Sequence, residues 1–349
     1  MSLPETMHAA VLHGPGDLRY EEVPVPQIGP GEALVRVRAC GICGSDLPRV
    51  LDEGGAYFYP LIPGHEFAGE VAALGDPAAP VAVGTQVAVN PIMPCGTCEA
   101  CRRGLAFHCP TYGYLGSRSP GGFAEYVAVP VANLMPLPPG LDVVHGAFAE
   151  PLAVGAHVLR RAGLAAGDTV AVWGLGAIGN LIAQLALQLG AARVISVDVD
   201  ARKLDLARAT GLTSLLNGRE QDAVQEIRAL TDGRGVDVAC EASGSVVALQ
   251  QALQATRRLG HLGLVGRAER DVTVPWPLFV QILRQELTLA GVWGFDGRDS
   301  WERVLGLLGE GRVRVQPLIT HTLPLSEAGA VIPAIRAQTE FFGKVMLIP

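Results

Sequence analysis

Over roughly the first 150 residues the chain is rich in short β-type runs broken by Gly and Pro, alternating apolar and polar at 34–38 and mostly apolar at 67–71 and 86–89. Period-two alternation between turn residues predicts strands, so this stretch reads as a compact β-rich domain with long loops. From about residue 153 the rhythm changes. An apolar run at 169–173 is followed by a sparsely charged helical stretch at 177–189 and a strand at 193–197. Further strands are expected at 236–240, 261–265 and 287–292, with helices between them. Such alternation predicts a parallel sheet covered on both faces. A helix at 300–308 then leads to a strand-like end at 344–348, expected to return to the first domain. The expected fold class is α/β, with one domain over 1–152 and 296–349 and another over 153–295.

Composition narrows the picture further. A chain of 349 residues, 49% hydrophobic and 17% charged, can bury two real cores and is not a disordered chain. Its net charge of −7 argues against a nucleic-acid partner. The opening MSLPETMHAAVLHG has no basic stretch leading into an apolar one, so no signal peptide is expected. No uninterrupted apolar run reaches about 18 residues, so no membrane span is expected either. The expected location is cytoplasmic, where thiols stay reduced and can hold a metal.

Four of the seven cysteines fall within fifteen residues: Cys95, Cys98, Cys101 and Cys109. Four thiolates complete a tetrahedral shell and leave no position for a substrate, which points to a structural zinc. Two disulfides would suit a small secreted domain rather than a chain with sizeable cores. Of the three remaining cysteines, Cys40 and Cys240 read as small buried residues.

Directly after the 169–173 strand comes Gly174-Leu175-Gly176-Ala177-Ile178-Gly179. Gly174 permits a tight turn, Gly176 lets backbone approach a pyrophosphate, and Gly179 lets the helix pack on the strand. The phosphates would sit at the N-terminus of that helix. Asp198 follows at the end of the next strand, nineteen residues beyond Gly179. A carboxylate there accepts hydrogen bonds from a ribose 2′-OH and repels a 2′-phosphate, so NAD is expected over NADP. Arg202 and Lys203 lie close enough to soften that preference, and Lys203, Val265 and Gly266 complete the expected cofactor-binding set.

A second set of metal ligands is scattered. Cys43 and Asp46 lie in GICGSD, His65 and Glu66 in GHE, and Glu150 near the boundary between the domains. Cys, His and Glu with a vacant position describe a catalytic zinc. Singly, each has an ordinary structural reading; beside a nucleotide fold and a four-cysteine lobe, together they favour the metal.

GICGSD, GHE, the cysteine lobe and GLGAIG, in this order, resemble the zinc-dependent medium-chain dehydrogenase family, over nearly the whole chain. The resemblance implies a GroES-like β-rich catalytic domain, a Rossmann doubly wound domain, an active site in the cleft between them, and a homodimer or homotetramer. Two zinc ions per chain and NAD are expected. Glu150 in EPLAVGAHVLRR resembles the polyol, sorbitol-type branch rather than alcohol dehydrogenases with cysteine there. CGSDLPRV, YPLIPGHEFAGE, GSRSPGGFAEY, ILRQELTLAG and GKVMLIP resemble members of that branch acting on galactitol 1-phosphate.

The implied reaction passes hydride from a secondary alcohol of a polyol or polyol phosphate to NAD, with zinc as Lewis acid. Cys43 and His65 are the implied ligands of the catalytic zinc, with Glu66 and Glu150, one bound directly and the other through water. Ser45 is the implied start of a proton relay, and Asp46 orients His65. Where the family often carries a relay histidine this chain has Pro48, so the relay must run through Ser45 and water or a glutamate. His145 and His157 read as structural.

Arg49 and Arg118 are the expected partners of a substrate phosphate, because a guanidinium grips phosphate in two places. An unphosphorylated polyol or L-threonine is the alternative substrate. A catalytically silent NAD-binding zinc scaffold is the alternative of another class.

Overall fold

The computed structural model describes residues 3–268 and 270–349. The chain forms two compact units: Met1–Glu150 with Asp296–Glu310 and Ile319–Pro349, and Pro151–Phe295 with Gly311–Leu318. The 296–349 segment is therefore split, and 311–318 lies with the second unit rather than wholly with the first.

The first unit is built on a seven-stranded sheet. Its order is Ile319–Pro324, Lys344–Ile348, Glu32–Gly41, Glu66–Leu74, Gln86–Val89 and Leu134–Pro136, with Tyr126–Pro130 also paired to Glu32–Gly41. Glu32–Gly41 has three strand partners and is buried at most positions, with Arg36 exposed and Arg38 half-buried on either side of buried Val37. Val35, Val37, Phe67, Val71, Val87, Phe123, Val127, Leu134 and Leu347 fill the core. A separate hairpin pairs Thr6–Gly14 with Asp17–Pro24.

Register in this sheet brings distant residues together. Met346 stands opposite Gly41, and Gly41 stands opposite Glu66. The carboxyl end of the chain is thus stitched beside the strand that opens with Glu66.

The second unit is a six-stranded sheet with every neighbouring pair parallel. Its order is Ser214–Asn217, Arg193–Asp198, Thr169–Trp173, Val236–Glu241, Thr256–Leu264 and Thr288–Gly291. The chain therefore winds outward in one direction from Thr169–Trp173, then starts again on the other side. This is the doubly wound order, and its reversal at Thr169–Trp173 is where such sheets hold ligands. Ala171, Trp173, Ile195, Val197, Ile227, Ala239, Leu253 and Leu262 form its core. Helix Ala177–Gln188 carries no charge and is buried continuously from Gly179 to Ala186, so it is covered on all sides. Among the described residues, no helix is long and apolar enough to cross a membrane.

Candidate active site and metal centres

Asp46 organises the first cluster. Its Oδ2 accepts the Cys43 N–H at 2.9 Å, closing the turn that opens helix Asp46–Leu51. Its Oδ1 accepts Arg49 Nη1 at 2.9 Å and lies 3.5 Å from His65 Nδ1. Asp46 is fully buried, yet its carboxyl is held below the usual range: burial pushes it up, and His65, Arg49 and the Cys43 N–H outweigh that. His65 is driven well above the usual imidazole value, because Asp46 and Cys43 overcome the opposing effect of burial.

Cys43, His65 and Glu66 each bring a ligand atom within 4.8 Å of the other two. Nδ1 of His65 is buried without a hydrogen-bond partner and points at Asp46, which leaves Nε2 for a metal. Thiolate, imidazole and carboxylate at that spacing fit zinc, whose ligand atoms sit about 2.0–2.3 Å from the ion.

Glu66 is not alone. The Lys344 ammonium pairs with Glu66 and donates to the Ile42 carbonyl at 3.0 Å, both side chains being buried. Gly41 makes this possible, since a Cβ there would stand 2.6 Å from Glu66 Oε2 and 2.7 Å from Lys344 Cε. Burial would drive Lys344 down, but Glu66, Cys43 and Glu150 hold it above its ordinary value. Glu150 is also buried, and its Oε1 accepts the Tyr114 hydroxyl at 2.9 Å. Burial, with Glu66 nearby, pushes the Glu150 carboxyl up to about 7. Lys344 and Tyr114 escape sequence reading, and only the strand register and the fold bring them here.

Ser45 caps helix Asp46–Leu51 without a side-chain capping bond, so its hydroxyl is not consumed there. Pro48 sits in the first turn of that helix, where a missing N–H costs nothing. Arg49 departs from its expected role. Its Nη1 donates to Asp46 and the side chain is only 14% exposed, so it supports the His65 partner, while its Nε is buried without a hydrogen-bond partner. Arg118 is different. It lies 4.7 Å from the Tyr57 ring centroid and 4.0 Å from that of Tyr112, and donates to the Tyr112 carbonyl at 3.1 Å. His145 lies in helix Val143–Gly146, and His157 meets Arg160 at 3.2 Å within helix Ala149–Arg161.

In the cysteine lobe all four thiols are free. Cys98 and Cys101 sulfurs are 3.4 Å apart and those of Cys95 and Cys101 3.8 Å apart. Four sulfurs around one zinc stand about 3.8 Å from each other. Backbone N–H groups of Cys95 and Cys101 point at Cys109 and Cys98 sulfurs, both at 3.4 Å. Thr97 N–H and its neighbours bring the Cys95 thiol down to about 5, while burial and the adjacent thiols push Cys101 up to about 12. Crowded sulfurs resist ionising together, and a divalent cation is what removes that conflict.

In the second unit, Gly174 has φ +88, and a Cβ on Gly179 would stand 1.7 Å from the Gly174 carbonyl oxygen. A Cβ on Gly176 would meet nothing within 4 Å, and the helix starting at Ala177, followed by Ile178, has no side-chain cap. An open glycine before uncapped N–H groups fits a pyrophosphate. Asp198 is buried and its Oδ2 accepts the Leu175 N–H at 2.6 Å, while Oδ1 accepts the Asp200 N–H at 2.9 Å. Lys203 Nζ lies 4.0 Å from Asp198, and Arg202 is forked onto Asp200 at 2.7 and 2.9 Å. Val265 and Gly266 both donate to the Glu241 carbonyl at 3.0 Å, at the carboxyl end of the neighbouring strand. Cys40 and Cys240 are fully buried.

Residues 29–139 match the family described as alcohol dehydrogenase GroES-like domain, and residues 177–310 that described as zinc-binding dehydrogenase. The chain is 35% identical over 356 residues to sorbitol dehydrogenase of Bacillus subtilis (strain 168), covering 100% of this chain and 99% of that protein. The solved structure of galactitol-1-phosphate dehydrogenase from Escherichia coli aligns with a TM-score of 0.91 at 34% identity, over 98% of this chain and 100% of that one. A zinc-binding dehydrogenase of unsettled role from Sinorhizobium meliloti 1021, bound to NADP, aligns with a TM-score of 0.89 at 32% identity, over 99% and 100%.

Proposed function

The chain belongs to the zinc-dependent medium-chain dehydrogenase family, in its polyol branch, and from that premise we propose that it oxidises a secondary hydroxyl of a polyol phosphate, using NAD. The observation that carries the reading is the convergence of half-buried Cys43 with buried His65 and Glu66 in one cluster.

Cys43, His65 and Glu66 would hold the catalytic metal, and Cys95, Cys98, Cys101 and Cys109 a second, structural one. Zinc supplies Lewis acidity toward the substrate hydroxyl when bound. Asp46 fixes the orientation of His65 and keeps Nε2 available, and Arg49 holds Asp46 in turn. Lys344 balances the charge of Glu66, both side chains being buried. Glu150 stays beside the cluster on its hydrogen bond to Tyr114. Ser45 takes the hydroxyl proton and passes it to solvent, since Pro48 has no group that accepts one.

Bound NAD would supply the hydride acceptor. Gly176 leaves room for its pyrophosphate, Gly174 permits the turn and Gly179 the close helix packing, and Asp198 disfavours a 2′-phosphate by charge. Arg202 and Lys203 lean on acidic neighbours and offer little compensation. This favours NAD, although the Sinorhizobium neighbour binds NADP.

Arg118, whose guanidinium carbon lies over the Tyr57 and Tyr112 rings, supports the phosphorylated substrate over a neutral polyol or L-threonine. A self-associating chain is part of the same reading. Trp276, Phe279 and Leu283 face outward along one helix, and Trp293 follows the edge strand Thr288–Gly291.

The test is NADH formation by zinc-loaded protein with galactitol 1-phosphate, galactitol and L-threonine side by side, repeated with NADP at matched concentration. Preference for the phosphate with NAD is the expected result. Preference for galactitol removes the phosphate from the reading, and equal rates with NADP remove the role given to Asp198.

A further inference from the structure

The four-cysteine lobe has no core of its own. None of residues 94–108 is buried, and only Cys109 at its end is. A loop of this kind cannot be held by apolar burial, so its metal ligands must fix its shape. Its neck is a two-stranded ladder in which Ile92 stands opposite Tyr114 and Met93 opposite Gly113. The strand that leaves the lobe is therefore the one that carries Tyr114.

Inside the lobe, the short 3-10 helix Ala106–His108 presents Phe107. Its ring centroid lies 5.8 Å from that of Tyr112 and 5.9 Å from that of Tyr114, both tilted. These are ordinary distances for packed aromatic pairs. The Tyr114 ring then lies 5.7 Å from His65, and its hydroxyl reaches Glu150 at 2.9 Å. One aromatic side chain thus touches the lobe, the imidazole of the metal cluster and the buried glutamate.

We propose that Tyr114 is a positioning residue through which the four-cysteine lobe, by way of Phe107, sets the placement of Glu150 beside Cys43 and His65. The inference rests on the functional reading above for the meaning of Glu150, but the coupling itself is a property of the chain. It gives the lobe a part in the reaction, beyond stiffening a surface loop.

The test compares Phe107→Ala, Tyr114→Phe and the double variant on the full, zinc-loaded chain. Tyr114→Phe removes only the hydroxyl and keeps the ring, so it should fold and retain both metals. Its kcat should fall about 10-fold with a smaller change in KM, as when a group supporting a ligand is lost. Phe107→Ala should fall similarly, and Phe107→Tyr, which keeps a ring, should restore it. Added to Tyr114→Phe, Phe107→Ala should change kcat by less than about twofold, because both act on one path. Fully multiplicative losses would overturn the proposal. Hydrogen exchange supplies a readout that needs no turnover. Phe107→Ala should speed exchange at 113–115 and 146–148, and a change confined to the lobe would sink the idea. If the wild type oxidises no polyol while 146–148 still loosen, the functional reading fails and the coupling stands.

Discussion

Oδ1 of Asp46 lies 3.5 Å from Nδ1 of His65, with both side chains buried. That separation is longer than a good hydrogen bond, so the pair acts by charge and by pointing the ring, with Arg49 donating to the same Oδ1 and the Cys43 N–H holding Oδ2. Asp46→Asn keeps the shape and removes the charge. It should weaken zinc binding at Cys43 and His65 by about 10–100-fold. Competition against a chromophoric chelator measures this. An unchanged affinity would show that Asp46 serves only to close its turn.

Lys344→Met leaves the Glu66 carboxylate buried without its cation. Breaking a buried ion pair from one side costs about 3–5 kcal/mol. Urea unfolding in the presence of chelator should show a loss of that order, and Glu66→Gln combined with Lys344→Met should recover much of it. A loss equal in the double variant would mean that Lys344 acts by packing alone.

That pair shows where reading the sequence stops. Strand 169–173 and the glycine turn after it were legible because both are local: a fully apolar run, then Gly174, Gly176 and Gly179 at fixed spacing. Cys43, His65 and Glu66 were legible as residue types suited to a metal. Lys344 was not, since it meets Glu66 across 278 positions through register in three strands. Tyr114 carries no local signal, because its partners His65 and Glu150 lie far away in sequence. The edge strand Ser214–Asn217 passed unnoticed because four residues carry no clear period. Strand Thr256–Leu264 begins five residues before the expected 261, since Arg257, Arg258 and the positive-φ Leu259 break its apolar run.

Arg118 gives a selectivity prediction. Arg118→Ala should raise KM for galactitol 1-phosphate by about 10-fold or more, the scale of a lost hydrogen bond to a charged group. The KM for galactitol should stay nearly fixed. Arg118→Lys keeps the charge but loses the fork and the guanidinium contact with the Tyr57 and Tyr112 rings, so it should fall between the two. A uniform change with both substrates would assign Arg118 to packing.

Acid sensitivity should trace in part to Asp237. Burial pushes this carboxyl up, but the Thr169 N–H at 2.8 Å and Arg257 outweigh it and leave it below its ordinary value. A depressed folded-state value gives stability that is present above the unfolded value near 3.8 and lost as pH falls through the folded one. Asp237→Asn should therefore be less stable than the wild type at neutral pH, and the gap should close below that value. Urea midpoints from pH 7 to pH 3 check the sign, and a gap that widens in acid would contradict it.

The outward row on the second unit predicts self-association. Trp276 is 73% exposed and Trp293 69%, beside Phe279 and Leu283, and the edge strand Thr288–Gly291 has a pairing neighbour on one side only. An apolar face next to an open strand edge is what association covers. Trp293→Asp places a charge there, and Trp276→Ala removes apolar area from the helix. Sedimentation should give a dimer or tetramer for the wild type at about micromolar concentration, the range expected of stable interfaces. Trp293→Asp should shift the chain toward monomer, with Trp276→Ala weaker in the same direction. A wild type that sediments as a monomer would leave this face to another partner.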